Sequence, residues 1–168
     1  MKKIGIFYGS SGGTTADIAQ RIAVKLGIGQ ADVYDISNTT TDKMAPYEVL
    51  LLGSSTWGIG DLQDDWESFL PKLRQANLES KAVAIFGTGD TALFGDSFCD
   101  AIGTIYLALK DTGCELYGAV STNGYKYDQS TAEIEGRLVG LPLDEMNEDH
   151  LTDSRIDQWI DQLKKECL

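Results

Sequence analysis

Four hydroxyls and three glycines meet in the stretch Gly9-Ser10-Ser11-Gly12-Gly13-Thr14-Thr15, with no charged side chain among them. Hydroxyls and bare amides at the start of a helix are the ingredients of an anion site. An ordinary strand-to-helix turn needs only one capping hydroxyl, so four side by side favour a phosphate. Two further small-residue loops carry aromatic rings. Trp57 sits at the tip of Gly53-Ser54-Ser55-Thr56-Trp57-Gly58-Ile59-Gly60, and Phe94 lies four residues beyond Gly87-Thr88-Gly89-Asp90. A lone loop aromatic more often folds back onto the core, as Trp66 is expected to do. Two of them on neighbouring strand ends are better read as walls for a flat ligand. A phosphorylated, flat, hydrogen-bonding heterocycle would use the hydroxyls, both rings and the acid Asp90.

Elements that position these loops can be read from hydrophobic periodicity. Apolar runs at Ile4-Gly5-Ile6-Phe7-Tyr8, Val49-Leu50-Leu51-Leu52 and Ala82-Val83-Ala84-Ile85-Phe86 fit strands buried on both faces. Val33, Tyr34 and Ile36 suggest a short strand, and Glu115 to Val120 another. Helical spacing runs through Ile18 to Leu26, Leu62 to Leu73, Phe98 to Leu109, and Ile156 to Leu163, the last with Thr152 or Asp153 as its cap. From Ser121 to Leu138 the rhythm breaks, and Val139 to Leu143 resumes a strand pattern. Alternating strands and helices predict one α/β domain over residues 1–168. Its expected core is a doubly wound, five-stranded parallel sheet of order 2-1-3-4-5 with helices on both faces and the last strand split by an insertion at about 121–138. In such sheets ligands bind beyond the carboxyl ends of the strands. All three loops follow strands, so all three fall on that edge.

Composition narrows the partners. With 14 basic and 26 acidic residues the chain carries a net charge of −12, which disfavours nucleic acid and anionic membranes and suits basic proteins. Cys99, Cys114 and Cys167 are odd in number and scattered, and His150 is the single histidine. Neither a disulfide framework nor a metal cluster is expected. The apolar run after Lys2-Lys3 stops at Gly9, too soon for a secretory signal. A reduced, cytoplasmic setting and a monomer follow as expectations.

Together these residues resemble the flavodoxins, specifically the long-chain group. The likeness is carried by Gly5-Ile6-Phe7-Tyr8-Gly9-Ser10 with Gly13 and Thr15, and by Thr56-Trp57 with Gly60 and Asp65-Trp66. It continues through Phe86-Gly87-Thr88-Gly89-Asp90, Ser121-Thr122 with Gly124-Tyr125, and Leu143-Asp144-Glu145 through Asn147 to Arg155-Ile156. The resemblance implies a non-covalently bound FMN and low-potential one-electron transfer between redox proteins, with no catalytic residue and no metal. It implies that Ser10, Ser11, Gly12, Gly13, Thr14 and Thr15 hold the phosphate, and that Ser54, Ser55 and Thr56 follow the ribityl chain. Trp57 and Phe94 would flank the isoalloxazine, Gly58 and Gly60 would shape the second loop, and Thr88, Gly89 and Asp90 would meet the pyrimidine edge.

Three departures stand out. Gly12 replaces a family Thr, with Thr14 offering a substitute hydroxyl. Phe94 replaces the family Tyr, and Thr91 replaces a common Gln. Gly58 fills a slot where many relatives carry a bulkier residue. Relatives turn over the peptide after the Trp on one-electron reduction, and glycine is expected to ease the left-handed geometry which that brings. Two acidic groups, Asp61, Asp64, Asp65 and Glu67, then Asp144, Glu145, Glu148 and Asp149, are expected to border the flavin edge and to attract basic partners such as a ferredoxin/flavodoxin–NADP reductase. An FMN-dependent NAD(P)H:quinone reductase of the same fold is the alternative, but it would need a dinucleotide pocket, and no second glycine fingerprint is present. A phosphoacceptor signalling domain would need acids after the first strand, where Ser10 and Ser11 stand.

Overall fold

Strands and helices alternate from end to end of the computed structural model, which describes residues 1–168. In chain order they are β1 (Ile4–Gly9), α1 (Thr14–Leu26), β2 (Val33–Asp35), β3 (Val49–Trp57), β4 (Asp61–Leu62), α2 (Asp64–Gln75) and β5 (Ala82–Thr88). There follow α3 (Asp100–Leu109), β6 (Glu115–Tyr117), β7 (Val120–Ser121), β8 (Glu133–Ile134), β9 (Arg137–Leu138), β10 (Leu141–Leu143) and α4 (Asp149–Glu166). No helix is long and apolar enough to cross a membrane.

β2, β1, β3 and β5 lie side by side and parallel, and the fifth position is shared. β6 pairs with Ala82–Ala84 of β5, while β10 pairs with Phe86–Thr88 on the same edge. The predicted split strand is therefore present, with the break running from Gly118 to Gly140. The strand expected over Glu115–Val120 ends at Tyr117, because Gly118 turns into the left-handed region at φ 86° and leaves the ladder. β7, β9 and β8 form a small antiparallel sheet inside the interruption.

Continuous apolar runs are explained by two cores, one per face of the sheet. Leu50 and Leu52 of β3 join Phe7, Val83 and Ile85 beneath α2 and α3; Val49 and Leu51 join Ile4, Ile6, Ala84 and Phe86 beneath α1 and α4. Successive side chains of a strand point to opposite faces, so each residue of Val49–Leu52 finds a core. Trp66 is fully buried, as expected, and its Nε1–H donates to the Gly53 carbonyl at 2.7 Å.

Three helix starts differ from the sequence reading. Leu62, read with the second helix, lies in β4 opposite Thr56, and α2 begins at Asp64. Phe98 precedes α3 and does not belong to it. The last helix begins at Asp149, well ahead of the expected cap at Thr152 or Asp153. The polar residues of its first turn carry no apolar period, although Thr152 itself is buried and donates its hydroxyl to Glu145.

Candidate functional site

Strand ends β1, β3 and β5 open onto a cavity of about 310 Å³ at the carboxyl edge of the sheet. Its walls include Ser10, Gly12, Thr14, Thr15, Ser55, Thr56, Trp57, Gly58, Thr88, Gly89, Asp90 and Phe94. Ser11, Gly13, Ser54 and Gly60, also named from the sequence, are not among the lining residues.

At one end the chain prepares an anion site from local parts. Gly13 caps α1 at φ 93° and no side chain caps that helix. The N–H groups of Thr14, Thr15 and Ala16 consequently find no acceptor in the protein. Free first-turn amides with the helix dipole behind them attract negative charge. Gly13 thus serves by its backbone geometry, while its own N–H donates to Ser10 Oγ at 3.1 Å. Ser11 is tied outward, its Oγ accepting from Gln63 Nε2 at 3.1 Å. Thr15 is buried and its Oγ1 lies 3.2 Å from Thr88 Oγ1, linking this loop to the end of β5. The buried Ser54 spends its hydroxyl on the Ser55 carbonyl at 2.8 Å.

Two half-exposed rings stand at the other end, Trp57 at 47% and Phe94 at 42% of their surface. Trp57 Nε1–H donates to Ser55 Oγ at 2.8 Å, which holds the indole against its own strand. Gly58 has φ 51°, the left-handed geometry that glycine was expected to ease at this position. Any residue with a Cβ would carry a strain of about 1–2 kcal/mol there. Gly60 is required for a different reason. Its φ is 88°, and a Cβ would sit 2.4 Å from Asp100 Oδ2 at the start of α3. It is a packing position behind the wall.

Asp90 lines the cavity, but its Oδ1 is already occupied by the N–H groups of Ala92 and Leu93, each at 3.0 Å, and by Asn147 Nδ2 at 2.8 Å. Ser97, Phe98, Cys99, Glu145 and Met146 complete the walls and were not anticipated. Ser97 is buried and its Oγ has no hydrogen-bond partner in the protein. Burial pushes the Cys99 thiol well up, so it stays neutral. Phe98 was concealed by its fit to a helical period. Glu145 was concealed by its place in an acidic run.

That second acidic run is not the open surface that the sequence suggested. Asp144 is fully buried, Glu145 lies 3.4 Å from Arg21, and Glu148 lies 3.4 Å from Arg155. Of the first group, Asp61, Asp64 and Glu67 are exposed as expected, and Asp65 is partly covered, accepting from Gln63 Nε2 at 2.7 Å.

A parallel doubly wound sheet with an anion-binding helix start and two aromatic walls at one edge defines a nucleotide-cofactor class of α/β protein. Comparison makes the assignment definite: the model of the family described as Flavodoxin matches residues 6–159, and the chain belongs to that family. It is 41% identical to "Flavodoxin 1" of Azotobacter vinelandii, covering 100% of this chain and 99% of that one. Identity to the flavodoxin of Buchnera aphidicola is 43%, over 97% and 96% of the two chains. Among solved structures, Fusobacterium nucleatum flavodoxin bound to flavin mononucleotide superposes with a TM-score of 0.91 at 34% identity, covering 99% of both chains.

Proposed function

We propose that this chain binds one FMN non-covalently in the cavity and carries single electrons between redox proteins. The observation that carries the reading is the pairing of two ends in one cavity: unpartnered amides flanked by hydroxyl side chains at the start of α1, and two exposed rings at Trp57 and Phe94. The donor set fits a phosphate in a protein of net charge −12 because it is neutral and directional, with no lysine or arginine in the cavity wall.

FMN would supply the redox chemistry; the protein's residues would hold and insulate it. Ser10, Thr14, Thr15 and the N–H groups of residues 14–16 would hold the phosphate, and Ser55 and Thr56 would follow the ribityl chain. Trp57 and Phe94 would exclude water from the two faces of the ring, and Thr88 to Asp90 would meet its polar edge. Ser11, Gly13, Ser54 and Gly60 support these residues from behind. The exposed acids Asp61, Asp64 and Glu67 would oppose the accumulation of negative charge and so hold the second potential low.

Partners would meet the protein at this edge. Trp57, Ile59, Leu93, Phe94 and Met146 are all exposed apolar groups, and Asp61, Asp64, Glu67 and Asp96 add exposed negative charge. A basic redox protein with an apolar centre, of the reductase type, suits such a face, and association with it slows as ionic strength rises. The free thiols Cys99, Cys114 and Cys167 support a reducing compartment, and a single chain working as a monomer suffices for the site.

Purification and titration test the reading. The protein is expected to be yellow, with one FMN per chain, and to take up electrons in two resolved one-electron steps. It is expected not to oxidise NAD(P)H rapidly on its own. A colourless protein that FMN does not bind would overturn it.

A further inference from the structure

The wall that carries Phe94 hangs on a carboxylate outside the cavity. Asp144 follows β10 directly and is 0% exposed. Its Oδ2 accepts from the Thr91 N–H at 3.0 Å and from Thr91 Oγ1 at 2.7 Å. Its Oδ1 accepts from the N–H groups of Met146 and Asn147 at 3.1 and 3.0 Å. Asn147 Nδ2 reaches both oxygens, at 3.2 and 3.0 Å, and also donates to Asp90 Oδ1 at 2.8 Å. That last oxygen in turn holds the N–H groups of Ala92 and Leu93. No cation faces Asp144; every group that meets it is a neutral donor.

We infer that Asp144 is a positioning residue for this site: one buried carboxylate joins the turn that ends in Phe94 to the turn that carries Met146, and so fixes two walls of the cavity relative to each other. The inference rests on the reading of the cavity as a flavin site. Asp144 touches none of the cavity space itself and acts through Thr91 and Asn147. Both of its oxygens are used only as acceptors. An asparagine of the same size would turn an amide N–H₂ toward backbone N–H groups and leave donors unmet in a buried place.

Binding of two flavins separates this role from others. The wild-type chain and Asp144→Asn are titrated with FMN and with riboflavin, which lacks the phosphate, and amide exchange is followed in parallel. Because the carboxylate sets ring-side walls, Asp144→Asn is expected to weaken both ligands by the same factor, roughly 10- to 100-fold. Exchange at Ala92, Leu93, Phe94, Met146 and Asn147 should accelerate, while exchange along Ala82–Phe86 should not. A variant that loses only thermal stability and binds both flavins within about twofold of wild type would overturn the inference, as would a loss confined to FMN. Thr91→Val, which removes one donor and keeps the backbone N–H, carries the same test should Asp144→Asn not fold. It should weaken both ligands several-fold, and in combination with a folded Asp144→Asn it should add nothing. A wild-type chain that binds neither flavin would overturn the underlying reading itself, and with it this one.

Discussion

The two ends of the cavity are built in opposite ways. The end proposed for the phosphate is assembled within Gly9–Thr15, from a left-handed glycine cap, a Ser10 hydroxyl that accepts from an amide three residues on, and helix amides left free. The ring end is assembled from segments far apart in the chain. Gly95 accepts at its carbonyl from the N–H groups of Asp128 and Gln129, at 2.7 and 3.0 Å. Phe98 stacks on Tyr127 with ring centroids 5.7 Å apart, Asp100 accepts from Thr131 N–H at 2.8 Å, and Asp144 closes the other side. A site for a small charged group can be made by backbone conformation alone. Walls for a large flat group have no such local solution, and their spacing must be fixed by the rest of the fold.

Substitutions can break that comparison. The largest expected effect is Gly60→Ala, where strain at φ 88° adds to a Cβ 2.4 Å from Asp100 Oδ2; about 2–4 kcal/mol of stability should be lost in urea unfolding. Gly12→Ala at the phosphate end meets nothing within 4 Å and should cost less than about 0.5 kcal/mol. Equal costs would mean that the two ends are equally constrained. Next in size, Phe94→Ala should weaken FMN and riboflavin alike by about 1–3 kcal/mol, the worth of one stacked ring, measured by quenching of flavin fluorescence. Thr15→Val should weaken FMN by about 1 kcal/mol, the scale of one hydrogen bond, and leave riboflavin unchanged. A matching loss for riboflavin would show that the Thr15–Thr88 contact matters more than a phosphate.

The smallest effect is a pH window. Burial is the largest single influence on Asp144 and pushes its carboxyl up. Hydrogen bonds from Thr91 and Asn147 together outweigh it, and the group sits below its ordinary value of 3.8. A carboxyl depressed in the folded state contributes stability above the unfolded value and loses it as pH falls through the folded one. The stability difference between wild type and Asp144→Asn should therefore be level from about pH 5 to 8 and narrow below about 4. A difference that is flat down to the acid transition would remove the charge from the account.

Local construction is also what made half of the site legible. Ser10, Gly13, Thr14 and Thr15 lie close together in sequence, and their types alone announce a strand, a turn and a helix start whose amides stay free. Trp57 was legible because a loop tip is a costly place for an indole. Asp144 was not, because its partner Thr91 is 53 residues away and its neighbours Glu145, Glu148 and Asp149 made it look like part of a solvated run. Phe98 fitted a helical period by coincidence of spacing, whereas its surroundings are set by Tyr125 and Tyr127 of the interruption. The five-position sheet itself was legible because each central strand is apolar on both faces. The extents of β6 and β10 were not, since glycine geometry at Gly118 set one of them.

The divided fifth strand has a bearing on how the protein behaves in a crowd. A sheet edge is a row of unmet N–H and C=O groups, and long, straight edges invite other chains to pair with them. Here one edge consists of Val33–Asp35 alone, and the other of Glu115–Tyr117 and Leu141–Leu143 with an excursion between them. Neither offers more than three residues in a row. The detour at Gly118 thus leaves β3 and β5, with their buried apolar runs Val49–Leu52 and Ala82–Phe86, inside a sheet that has no edge long enough to template its own aggregation.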